Sequence, residues 1–238
     1  MYFGDFVEMV KYDDFIEKVN EAGFWNQFTN YIDQGIFIYG TKIGQAYSGD
    51  NETDTEIWKN RVAQEKKLAY GHFFNGKPGG YIAPHFYSIF IDAFRPRVTM
   101  EERYKSGKLS KYEREIWDLL NQKGKPLSFS DFRNNMGIVS KDKIEYRKLE
   151  SALKQLQMTF DITICGIING QYENGEPFSF TGYDKVDNWI PKEWMEMNPR
   201  MEHKEALEII YNQAEKITNM GEYKKPFAKS LKLYNWYL

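Results

Sequence analysis

Apolar positions along this chain recur with a helical period, then switch to strict alternation about two thirds of the way along it. Ser110-Lys111-Tyr112-Glu113 reads as a capping box opening a helix with Ile116, Leu119 and Leu120 on its inner face. Gly124 and Pro126 stop that helix. Leu127-Ser128-Phe129-Ser130-Asp131-Phe132 begins a short second helix that Gly137 closes. Asp142 and Glu145 form a further cap-like pair before a third helix carrying Tyr146, Leu149, Leu153 and Leu156. Alternation follows in Phe160-Asp161-Ile162-Thr163-Ile164, ending at Gly166, and returns in Phe178-Ser179-Phe180-Thr181 after two Asn-Gly pairs, Asn169-Gly170 and Asn174-Gly175. Helices followed by a hairpin in this order predict a winged-helix module over residues 109–188, a module whose third helix often enters a DNA major groove.

The flanks read as helical. Asp13 or Asp14 caps a helix with Phe15, Ile16, Val19 and Ala22 inward, ended by Gly23. Thr53 or Asp54 caps a second, with Trp58, Val62 and Ala69 inward, running to about Tyr70. A Gly- and Pro-bearing loop from Asn75 to Gly80 precedes an apolar segment from Tyr81 to Phe94. Arg95-Pro96-Arg97 and the charged run to Lys108 form a connector, and Trp189-Ile190-Pro191 marks the exit from the module. Asn198-Pro199 starts a long helix through Ala206, Leu207, Ile210, Ala214 and Ile217 toward Gly221, and Phe227 to Trp236 packs back as a short helix. The expected fold is α+β and mostly α-helical. It divides into an N-terminal helical region (1–108), the winged-helix module (109–188) and a C-terminal helical segment (189–238) packing on the body.

Composition narrows the function classes. The chain has 238 residues, room for one large domain or two small ones, and its 17 Tyr, 17 Phe and 6 Trp supply most of a core. A net charge of −2 is unlike the strongly basic balance of many nucleic-acid binders, so DNA contact calls for a local basic face. The lone Cys165 excludes an internal disulfide framework and fits a reducing cytoplasm. No secretion signal and no run of about 18 apolar residues is present, so a membrane partner is not expected.

The third helix of the module offers that face. Arg147, Lys148, Ser151 and Lys154 avoid its apolar side, with Lys141 and Lys143 nearby, and Arg147 or Gln155 is placed to reach base edges. Asp142, Glu145 and Glu150 interleave, as on any solvated helix face. A second basic cluster, Arg95, Arg97, Arg103, Lys105, Lys108, Lys111 and Arg114, is offset by Glu101, Glu102 and Glu113. His72 and His85 match no compact zinc spacing, and no metal or cofactor is expected. The acidic run from Asp50 to Glu56 lacks the glycine and bidentate glutamate of a calcium loop and suits a helix start. Gly76-Lys77-Pro78-Gly79-Gly80 lacks phosphate-loop spacing.

Asp54-Thr55-Glu56-Ile57-Trp58-Lys59-Asn60-Arg61, Glu65 through Phe74, Lys77-Pro78-Gly79 and Leu156-Gln157-Met158 together resemble the AlkZ-related bacterial proteins over roughly residues 10 to 190. That group is distantly similar to the winged-helix DNA glycosylases that remove alkylated or crosslinked purines. The resemblance implies winged-helix modules around a DNA-binding channel. It also exposes a departure. Active glycosylases of that kind carry a Gln-apolar-Gln or Gln-apolar-Asp triplet near the end of an N-terminal helix, which positions the hydrolytic water. Here the matching place reads Gly23-Phe24-Trp25-Asn26-Gln27-Phe28, with the two polar residues adjacent and therefore on opposite sides of an extended segment. Gln155-Leu156-Gln157 matches by letter only, since a helix sets its two amides about 200° apart.

Three functions compete. The leading one is double-stranded DNA binding without base excision, through Arg147, Lys148, Ser151 and Lys154. The second is an active glycosylase with a diverged site, for which Asn26, Gln27 and His72 are the catalytic candidates, in a cleft with Trp25 and Trp58. The third is a protein-interaction scaffold, which an exposed apolar patch on the third helix would favour.

Overall fold

Tyr12, Phe15, Val19 and Ala22 fall on one face at helical spacing and are all buried, which is why α1 (Tyr12–Ala22) lies flat on the core. The computed structural model describes residues 11–26, 55–73, 79–139, 141–171 and 177–217. Thr53, Asp54, the 74–78 loop, Asn174-Gly175 and the segment beyond Ile217 lie outside the described residues. Gly23, at φ 84, ends α1 and turns the chain into β1 (Phe24–Asn26).

The next helix is shorter than its apolar spacing suggests. α2 (Thr55–Gln64) does not continue to Tyr70. Lys66 takes the left-handed φ of 55, and the Lys67 N–H returns to the Val62 carbonyl at 3.0 Å. Leu68, Ala69 and Tyr70 are then consecutive buried residues, a pattern that suits a covered strand, and β2 (Ala69–Gly71) forms there. β3 (Gly80–Ile82) sits between β1 and β2, antiparallel to both, with Tyr81 opposite Trp25 on one side and Tyr70 on the other. α3 (Pro84–Phe94) follows, starting on a proline and buried from Phe86 through Phe94.

Capping boxes set the next three helix starts: Thr99 with Glu102 for α4 (Met100–Lys105), Ser110 with Glu113 for α5 (Lys111–Lys123) and Ser128 with Asp131 for α6 (Phe129–Asn135). Leu127 and Ser128, which the sequence places in a helix, form β4 instead. Their backbone pairs with Tyr183 and Gly182. Asp142 then caps α7 (Lys143–Met158), accepting from the N–H groups of Ile144 and Glu145 at 3.1 Å. β5 (Ile162–Gln171) and β6 (Pro177–Lys185) make an antiparallel hairpin, with a register shift between Ile164 and Gly166. The second sheet has the order β4-β6-β5. α8 (Val186–Trp189), α9 (Lys192–Glu196) and α10 (His203–Ile217) complete the order. α10 begins four residues after Pro199, because the Met201 N–H is drawn to Asp92 and Glu202 to Arg97.

The fold is therefore α+β and mostly helical, with two small antiparallel sheets. One apolar cluster gathers α1, the first sheet, α3 and α10 around Phe15, Trp58, Tyr87 and Phe90. A second, around Ile116, Phe132, Leu149 and Leu156, joins α5, α6 and α7. Among the described residues no helix is long and apolar enough to cross a membrane.

Candidate nucleic-acid interface

α7 buries Leu149, Ala152, Leu153 and Leu156, which fixes what its other side presents. Ile144, Arg147, Ser151 and Lys154 are spaced three, four and three residues apart and make one strip along that outer side. Ile144, Arg147, Lys148 and Ser151 are exposed, and Lys154 is half-buried. The cations differ in their partners. Lys148 Nζ lies 2.7 Å from Glu145, and Lys154 Nζ lies 2.8 Å from Glu150. Arg147 has no ion pair among the described residues. Gln155, the other base-reading candidate, has its Oε1 buried without a partner among the described residues. Ile144 is 68% exposed, an apolar side chain held in water where sequence periodicity alone gives no reason for notice.

The C-terminal half of α7 leans on the N-terminal layer at His72. Gln157, 1% exposed, accepts the His72 backbone N–H at 3.1 Å and donates from Nε2 to the Leu153 carbonyl at 3.0 Å. The second glutamine of the look-alike triplet is thus a clasp between α7 and the residue that follows β2. Burial, with Lys154 and Lys59 adding repulsion against the pull of Glu150, lowers the His72 imidazole to about 4. It is neutral at physiological pH, and its Nδ1 is buried without a partner among the described residues.

The diverged-cleft residues are not assembled into a described cleft. Trp25 (6% exposed) and Trp58 (1%) pack on Phe15, with ring centroids 5.4 and 5.3 Å away. They fill the core. The Asn26 backbone pairs with Gly80, and Gln27 lies outside the described residues.

Other candidates resolve into structure. Most of the connector cations are matched to carboxylates: Arg95 to Asp187, Arg97 to Glu202, Lys105 to Glu101, Lys111 to Glu115, and Arg114 to Asp118 and Glu101. Arg103 is buried and grips both oxygens of Asp161 at 3.0 and 2.8 Å. Cys165 is half-buried, and burial pushes its thiol up to about 11, which disfavours the nucleophilic thiolate. Among the described residues no His, Cys, Asp and Glu group could hold a metal ion. A groove of about 690 Å³ between α5 and the α6–α7 turn is lined by Leu119, Met136 and Val139 together with Glu115, Asp118 and Glu145.

The chain matches no curated protein and no solved structure. A family described as AlkZ related matches it over residues 9–232.

Proposed function

Since the chain belongs to the AlkZ-related family, we propose that it is a duplex-DNA-binding relative of the winged-helix DNA glycosylases that does not excise bases. In this reading residues 109–188 act as a winged helix and α7 as its recognition helix. One observation carries it: on the outer side of α7, beside Lys148 and in one helical strip with Lys154, Arg147 stands exposed and has no ion pair among the described residues. The helix–strand–helix–helix–strand–strand order from α5 to β6 supports the same docking geometry. Gln157 supports the absence of excision, since its amide is already committed to His72 and Leu153.

The test is fluorescence anisotropy of a labelled duplex across a salt series. Three neutralised phosphates give a slope of about −2.7 in log affinity against log salt. Arg147→Glu with Lys154→Glu abolishes binding; unchanged affinity in that double variant refutes the assignment. A second reading, an interaction scaffold, is favoured by Val139 and Ile144, 67% and 68% exposed near the start of α7. Absence of duplex binding at low salt selects it.

A further inference from the structure

We infer that α7 reads base sequence, with Arg147 recognising a guanine and Ile144 the methyl group of a neighbouring thymine. The inference rests on the DNA-binding reading and adds what that duplex must contain. Arg147, Lys148 and Lys154 on the outer side of α7 fall into two kinds. Lys148 and Lys154 are each held by a carboxylate on the same helix, Glu145 and Glu150, so their charge is partly spent before any ligand arrives. A tethered ammonium of this sort suits a phosphate, which accepts a cation from many directions and carries no sequence. Arg147 is exposed and has no ion pair among the described residues, and its planar fork matches the O6 and N7 acceptors of guanine.

Ile144 is the residue that distinguishes reading from holding. A phosphate-tracking helix gains nothing from an isoleucine in water. An exposed apolar side chain in the first turn of a recognition helix does match the one apolar group in the major groove, the thymine methyl. Asp142 fixes this turn by accepting from the N–H groups of Ile144 and Glu145, so Ile144 is presented from a capped rather than a fraying end. Ile144 and Arg147 are three residues apart, which is about 4.5 Å along the helix. One base step is about 3.4 Å, so the two contacts fall on the same or adjacent steps. The local charge favours DNA over a protein partner. Residues 141–154 hold five cations against three carboxylates, a net +2, on a chain whose net charge is −2.

The deciding experiment is selection of duplexes from a randomised pool by the full chain, read by sequencing. The expected result is enrichment of a guanine with a thymine one or two positions away. Arg147→Gln then loses preference at the guanine about ten-fold or more, and Ile144→Ser loses it at the thymine by several-fold. Lys148→Gln and Lys154→Gln weaken all sequences alike. Both reading residues are exposed, so their variants keep the fold, which circular dichroism checks. Binding that enriches no base overturns the inference and leaves the DNA-binding reading standing. An enriched motif unchanged by Ile144→Ser also overturns it. No binding to any duplex at low salt refutes both.

Discussion

His72 shows how much one side chain is governed by the elements around it. Unfolded, its imidazole titrates near 6.5; folded, burial and the nearby Lys154 and Lys59 hold it to about 4, against the opposing pull of Glu150. Between those values the unfolded chain binds more protons than the native one, so this group destabilises the fold as pH falls from 6.5 toward 4. Above 6.5 it contributes no such slope. His72→Gln is expected to flatten that part of the pH–stability curve, measured by urea unfolding at several pH values. An unchanged slope would show that the imidazole is not held neutral. The sequence marks His72 as polar among aromatic residues, but its setting depends on Gln157, 85 residues away. The same distance hides the purpose of Gln157, whose letters imitate a catalytic triplet. Ile144 was hidden differently: periodicity assigns inward residues with confidence in their neighbours, and an outward isoleucine is visible only once the helix is oriented by Leu149, Leu153 and Leu156.

Among elements, the joint between α4 and the α7–β5 turn is the costliest to disturb. Arg103 of α4 and Asp161 meet in the interior, and the Thr159 hydroxyl donates to the same carboxylate. Removing one member of such a pair strands the other charge away from water. Arg103→Ala is expected to lower unfolding free energy by about 3–5 kcal/mol, read by denaturant titration. A loss under about 1 kcal/mol would place the pair in effective contact with solvent. Two helix starts at this scale were legible because capping is local chemistry: Ser110-x-x-Glu113 and the Asp142 cap lie where the letters put them. α1 instead begins after Lys11, with no side-chain cap, so Asp13 and Asp14 fall within its first turn rather than capping it. Helix ends depending on tertiary partners were not. α2 stops at Gln64 because Leu68 to Tyr70 gain more by lying against β3, and Leu127 leaves its helix because β6 offers a strand edge.

At the scale of the molecule, β5 belongs to both apolar clusters. Ile162 faces the α5–α7 cluster, Ile164 the aromatic one, and Tyr183 on β6 packs against both. Sharing of this kind couples the two, so a single unfolding transition is expected. Tryptophan fluorescence, dominated by Trp25, Trp58, Trp189 and Trp194 in the aromatic cluster, should superimpose on far-ultraviolet circular dichroism in denaturant. Separate midpoints would show two independent cores. The shared strand also bears on heredity. A segment cut at 109 and 188 and carried to another chain would bring Phe160, Ile164 and Val186 with it, all buried here against residues it leaves behind. Such a fragment is a poor cassette: its sticky inner face has no counterpart in a new host, so this segment and its aromatic body must be inherited together.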